Sequence, residues 1–300
     1  MAIPDVESQR NASSPDELLN RARSDGNVNI PADVFEQMYL APKTAVAGHL
    51  RQTFANPTAI SIGGFILCTT PLSMSLLGWQ GSDRLGLAVV GSYFWIGGLL
   101  LILGSIGEWI MGNTFPAIVF STFGKTVQMF KSSRDNCLHS PGGFFLTFGA
   151  TLVPSYNAYG AYGLGASNVA ADLTSVRMFH STFAFFLVAM TLLATVYCIA
   201  SVRTNIAFFL IFLSLIPCFA TLAASYFAYG HGYTASAALL QNVGAGFLLA
   251  VSLIGWYIFV ALVLLSVDFP FRLPLGDLST RIKGHTEKGH TEKHKVKKGE

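Results

Sequence analysis

Between Thr58 and Val267 the chain passes through one apolar stretch after another, several near the length, roughly 20 residues, that crosses a hydrocarbon core. No water is available at that depth to satisfy a bare peptide group, so such stretches fold as helices. The expected fold class is therefore an all-α membrane protein. Composition agrees: of 300 residues, 52% are hydrophobic and 12% charged, far from a soluble globular balance. Thr58–Leu77, Gly86–Gly107, Phe179–Ser201, Asn205–Ala228 and Val243–Val267 read as full spans.

The region between the second and fourth spans needs a separate argument. Phe115–Gly124 supplies only 10 residues, about 15 Å of helix, and then runs into Lys125, Lys131, Arg134 and Asp135. Apolar character resumes at Gly143-Phe144-Phe145-Leu146. Setting aside Lys125–Gly142 joins the two pieces into one span, so six transmembrane helices are expected, the third interrupted by a polar insertion over 125–142. With six spans both tails share a side. The tails together with Arg203 hold most of the 19 Lys and Arg, so the N- and C-termini are expected to be cytosolic. The organisation is then a disordered cytosolic N-tail over 1–55, a transmembrane domain over 56–268 and a basic cytosolic C-tail over 269–300. The net charge of +3 comes largely from that last tail and points to anionic lipid, not to nucleic acid.

Two stretches look like capped helix starts. In Asn56-Pro57-Thr58, Asn56 would cap and Pro57 would take the first helical position; in Asn113-Thr114-Phe115-Pro116, Asn113 and Thr114 would cap and Pro116 would fall in the first turn. Free N–H groups at both starts would make a paired anion-attracting mouth. Glu108, His180, Arg203 and His231 are the ionisable residues near the spans, each at or near an end, and no carboxylate relay is visible across the membrane. Glu108 reads equally as an interfacial residue at a helix end or as part of a pore. Cys68, Cys198 and Cys218 lie in apolar runs and read as packing residues. The tail repeat Gly284–Lys288 and Gly289–Lys293 carries histidines but reads as solvated charge. No phosphate loop, nucleophile elbow or metal-ligand spacing occurs, so neither an enzyme nor a cofactor is expected.

The same stretches resemble the acetate uptake transporter family, the succinate–acetate permease group of bacteria and fungi. Its first-helix pattern Asn-Pro-Ala-Pro-Leu-Gly appears as Asn56-Pro57-Thr58-Ala59-Ile60-Ser61, with the Asn-Pro pair kept. Its pattern Glu-x-x-x-x-Gly-Asn-Thr-Phe stands intact as Glu108 and Gly112-Asn113-Thr114-Phe115. Pro274-Leu275-Gly276-Asp277-Leu278-Ser279 is like fungal members. The resemblance implies a six-helix protomer, protomers in a ring (a hexamer) and a pathway in each for acetate and related short monocarboxylates, proton-coupled or channel-like, at the plasma membrane. It implies a constriction of Phe65, Phe123 and Leu215, with Asn56, Pro57, Thr58, Glu108, Asn113 and Thr114 along the pathway. Phe123 stands where the family usually has Tyr, and Leu101 where it commonly has Gln. These departures motivate one alternative, a non-transporting membrane sensor or regulator of the acetate response; the resemblance carries a second, an ammonium exporter.

The insertion itself has a second explanation. Lys125–Gly142 is 18 residues, or 54 nucleotides, and without it Ser121-Thr122-Phe123-Gly124-Gly143-Phe144-Phe145-Leu146-Thr147 approaches the family's Ser-Tyr-Gly-x-Phe-Trp-Leu-Thr. A retained intron is therefore expected in preference to a genuine loop.

Overall fold

The computed structural model describes residues 55–124, 143–163, 173–271, 273–276 and 278. The N-terminal tail up to residue 54, the insertion 125–142 with its splicing question, and the histidine repeats lie outside the described residues. Helices α1 (Pro57–Leu76), α2 (Leu87–Ile110), α3 (Thr114–Phe123), α4 (Phe144–Leu152), α5 (Leu173–Ser201), α6 (Ile206–Gly230) and α7 (Thr234–Ser266) follow in order. There is no strand among the described residues. Five of the helices, α1, α2, α5, α6 and α7, are each long and apolar enough to cross a membrane. This is an integral membrane protein.

Neighbours pack antiparallel, and small residues set how closely. A Cβ on Gly64 of α1 would lie 2.8 Å from Leu100 Cβ and 2.9 Å from the Ile96 carbonyl, and one on Gly107 of α2 would lie 2.6 Å from Pro57 Cβ. With lipid as apolar as the helices themselves, such close approach is what holds helix to helix. Within α2, Tyr93–Gly98 is π-helical. Its Gly97 and Gly98 receive Phe145 and Leu146 of α4.

Those contacts also place a 10-residue helix, α3, beside α4. Gly124, which ends α3, is pressed against Leu101 and Ile102 of α2, and the backbone of Gly143, which begins α4, lies against the Gly124 carbonyl. From there α4 continues in the direction α3 was travelling. Phe145 and Leu146 meet Gly97 and Gly98, and Gly149 meets Tyr93 and Phe94. The 10 residues of α3 and the 9 of α4 thus run end to end along α2, together about 29 Å.

The two ends of the bundle are tied differently. At the end away from the tails, Asp83 accepts backbone N–H bonds from Gly86 and Leu87 at 2.7 Å and from Leu85 at 3.2 Å. Slight burial raises its carboxyl pKa, but these bonds outweigh it and hold the group below the usual range. Gln241 donates to the carbonyls of Leu76 and Arg84, and Arg84 to Asn242. This is why α7 begins at Thr234 where hydropathy placed its start at Val243: the extra turns carry polar side chains with partners. At the tail end, Ile206 N donates to Gly276 O at 2.8 Å, Leu278 N to Thr204 O at 3.1 Å and Tyr257 to Pro274 O at 2.7 Å. Leu275 is buried there in the core. Cys68, Cys198 and Cys218 are buried free thiols.

A pair of substitutions checks the packing argument. Gly64→Ala is expected to cost about 1–3 kcal/mol by overpacking. Gly91→Ala, whose Cβ meets nothing within 4 Å, should be neutral or slightly stabilising. Melting temperatures of the two variants in detergent compare them directly, and equal values would refute the close-packing account.

Candidate functional site

The start of α1 follows the sequence expectation. Asn56 is extended, its side-chain oxygen accepts the Thr58 N–H at 2.9 Å, and Pro57 occupies the first helical turn. The start of α3 does not. Asn113 stands at the cap position without a side-chain capping bond; its Nδ2 donates instead to Glu108 Oε2 at 2.7 Å. The Thr58 hydroxyl donates to the other carboxylate oxygen, Oε1. Glu108 itself is 0% exposed. The carboxylate engages the donor end of the Asn113 amide, whereas a cap would use its oxygen; a bond to a charged acceptor is roughly twice as strong as a neutral one, so it sets the orientation of the side chain. The side-chain cap expected of Asn113 is therefore replaced by a polar knot joining the beginning of α1, the end of α2 and the beginning of α3. Thr114 is exposed at the first position of α3. Pro57 packs on Gly107, and Ser61, one turn further along α1, is buried against Gly104 with no hydrogen-bond partner for its hydroxyl.

Two helical turns beyond the knot, the polar groups give way to rings. Phe65 follows Thr58 by seven residues and Leu101 precedes Glu108 by seven, so each lies on the same face as its polar partner. With Phe123 of α3 and Leu215 of α6 they line one cavity, to which Phe120 and Phe212 also contribute. All of its lining residues are apolar. Phe65 and Phe123 meet edge to face, centroids 6.0 Å apart at 73°. The cavity leaves about 20 Å³ for the centre of a water molecule, close to the minimum of about 10–15 Å³ that holds one. The cavity has room for about one water molecule.

Several contributors were not visible in the sequence. Phe208, Ile211 and Phe212, which share a face of α6 with Leu215, are embedded in a run apolar all round, so periodicity does not single them out. Asn205 caps α6 by accepting the Phe208 N–H at 2.8 Å; an Asn just before an apolar run was the signal that could have found it. Tyr197 of α5 packs on Phe212, and its hydroxyl lies 2.7 Å from Thr122 Oγ1. Thr122 donates its own proton to the Ile118 carbonyl, which makes Tyr197 the donor. His180 and His231 sit at the opposite end from the knot, each with Nδ1 on a carbonyl one turn back. Arg203 lies in the turn between α5 and α6. Among the described residues no group of three His, Cys, Asp or Glu is placed to hold a metal.

Residues 38–131 and 136–280 match the GPR1/FUN34/yaaH family. The chain belongs to that family. Its GPR1/FUN34/yaaH match breaks between 131 and 136, inside the block 125–142. Protein alcS of Aspergillus fumigatus is 37% identical over 257 residues, covering 84% of this chain and 86% of that protein. Acetate transporter protein patA of Aspergillus clavatus is 27% identical over 225 residues, covering 75% and 78%. Among solved structures, the bacterial acetate channel SatP matches 74% of this chain and 99% of its own at 18% identity, with a TM-score of 0.49.

The knot is testable by isosteric replacement. Glu108→Leu deprives the Thr58 hydroxyl and the Asn113 amide of an acceptor, at about 1–3 kcal/mol for each; Glu108→Gln keeps an acceptor for one of them. The Leu variant should melt well below the Gln variant in detergent. Indistinguishable melting temperatures would show that the knot contributes nothing to the fold.

Proposed function

We propose that this chain carries acetate and related short monocarboxylates across a membrane, proton-coupled or channel-like, through the cavity among α1, α2, α3 and α6. The observation that carries this reading is the placement of Phe65, Leu101, Phe123 and Leu215 around one narrow apolar cavity, two turns beneath the Asn56–Thr58–Glu108–Asn113 cluster. A polar mouth above an apolar neck suits a small solute with a carboxyl head and a short alkyl tail. Packed rings exclude hydrated ions by dewetting. Relatives named for acetate transport support the substrate class.

The rest of the reading follows from the same architecture. The end-to-end pair α3 and α4 serves as a sixth crossing, with both termini at one face, the cytosolic one, of the plasma membrane. Protomers assemble as a hexameric ring, an extension that rests on the family resemblance. The pathway residues are Asn56, Pro57, Thr58, Phe65, Glu108, Asn113, Thr114, Phe123 and Leu215, with no catalytic role for any of them.

Ammonium export has one specific support: Ammonia transport outward protein 2 of Saccharomyces cerevisiae is 29% identical over 143 residues, 48% of this chain. The cavity offers a cation no acceptor, and this makes it the weaker reading. The discriminating experiment is uptake of labelled acetate into cells lacking other carriers, at acidic and neutral pH. Phe123→Ala should raise the initial rate several-fold. Rates equal to the empty-vector control for both forms would defeat the transport reading and favour the sensor alternative.

A further inference from the structure

The apolar faces that line the cavity continue past it. On α1 the face of Phe65 runs on through Leu72 and Leu76, and on α6 the face of Leu215 runs on through Phe219, Leu222 and Tyr226. These residues line a second cavity, closed on its other sides by Phe144 and Phe148 of α4, by α5 and by α7. Leu72 follows Phe65, and Leu222 follows Leu215, by seven residues, so the second cavity lies about 10 Å beyond the first on the same line. It leaves about 30 Å³ for the centre of a water molecule.

Aromatic rings form the near side of the second cavity, where Phe219 follows Leu215 by four residues, about 6 Å along α6. Phe144 meets Phe219 edge-on at 5.2 Å and 66°, and stacks nearly parallel on Phe148 at 6.0 Å and on Phe186 at 6.2 Å. Phe145, beside it, lies 5.4 Å from Phe144 and reaches back to Phe65 at 6.2 Å. The Phe65–Phe123 pair and the Phe144–Phe219 pair are thus consecutive layers. The first pair lines the first cavity and the second pair lines the second.

Two of the lining helices carry an internal proline: Pro217 in α6, between Leu215 and Phe219, and Pro71 in α1, between Phe65 and Leu72. Each removes a backbone hydrogen bond and gives the helix a place to bend. Phe123 is the last residue of α3 and Phe144 the first of α4. Each of these elements thus has a proline or a helix end near the boundary of the two layers.

We propose that the passage contains two aromatic partitions in series, Phe65–Phe123 and Phe144–Phe219, and that the second sets the largest monocarboxylic acid admitted, whose alkyl tail lodges in the cavity beyond it. The proposal rests on the transport reading above. Phe123→Ala opens the first partition and raises acetate flux, but leaves the size limit in place. Phe219 is the size-selecting residue, acting with Phe144.

The test is uptake of acetate, propionate, butyrate and hexanoate by the wild-type chain, Phe123→Ala, Phe219→Ala and the double variant. Hexanoate uptake should rise at least tenfold in the double variant and stay near the wild-type level in Phe123→Ala. A full shift in Phe123→Ala alone, or none in a double variant that still carries acetate, overturns the proposal. A second readout does not depend on transport. Cys218 lines the second cavity and is fully buried. In a chain whose other cysteines are replaced by Ser or Ala, an impermeant methanethiosulfonate applied from the face carrying the C-terminus should label Cys218 at least fivefold faster in the double variant than in either single one. Labelling as fast in one single variant as in the double contradicts partitions in series. Phe219→Leu, which keeps most of the buried volume, should shift both readouts in the same direction by less. Absence of acetate uptake by the wild-type chain counts against transport itself, while the labelling pattern still decides whether two partitions lie in series.

Discussion

The buried carboxylate of Glu108 is the constraint on which the arrangement of the passage depends. A carboxylate taken out of water costs several kcal/mol unless its oxygens are hydrogen-bonded, and here one oxygen takes the Thr58 hydroxyl and the other the Asn113 amide. That requirement fastens three helix ends to one point. Once Thr58 and Glu108 are fixed, helical periodicity places Phe65 and Leu101 two turns away on the inward faces, and the short α3 brings Phe123 to them. Gly104 and Gly107 let α2 come close enough to α1, with Pro57 and Ser61 in the space a side chain would fill.

A neck made of apolar atoms also shapes the chemistry of what passes. A free carboxylate would leave its hydration shell in the polar mouth and find no donor among Phe65, Leu101, Phe123 and Leu215. A carboxylic acid carrying its proton faces a much smaller desolvation cost. Short acids have pKa values near those of Asp and Glu side chains, about 4, so the neutral fraction grows as the outside becomes acidic. Under the proposed function this favours uptake at low pH without any titrating side chain in the neck. The hydroxyl missing at Phe123 is not restored by Tyr197, whose proton is committed to Thr122.

What could be read from the sequence was local. Asn56 followed by Pro57 encodes its cap within three residues, and the structure shows that cap. Asn113 carries the same local signal, but its side chain answers to Glu108, five residues back and across a turn, which a capping pattern does not weigh. The apolar spans were legible because the requirement for backbone hydrogen bonds in lipid is strict; their ends were less so. The first turns of α7 and the burial of Leu275 depend on contacts with distant parts of the chain. Phe65, Phe123 and Leu215 came from family resemblance and not from periodicity. The lining face of α6 lies in a helix that is apolar on every side, so no pattern within that helix marks it.

The paired short helices α3 and α4 tie these elements together. An α3 of 10 residues cannot span a bilayer; α3 lines the first cavity and α4 the second. The contact between Gly124 and Gly143, and the matching series of contacts along α2, make the two pieces one wall in the proposed architecture. The most direct measurement is therefore on a chain from which residues 125–142 have been deleted, joining Gly124 to Gly143, reconstituted into liposomes beside the full chain. The account predicts that the shortened protein folds with an equal or higher melting temperature and carries labelled acetate at least as fast. A shortened protein that folds but carries none, beside a full chain that does, would contradict it.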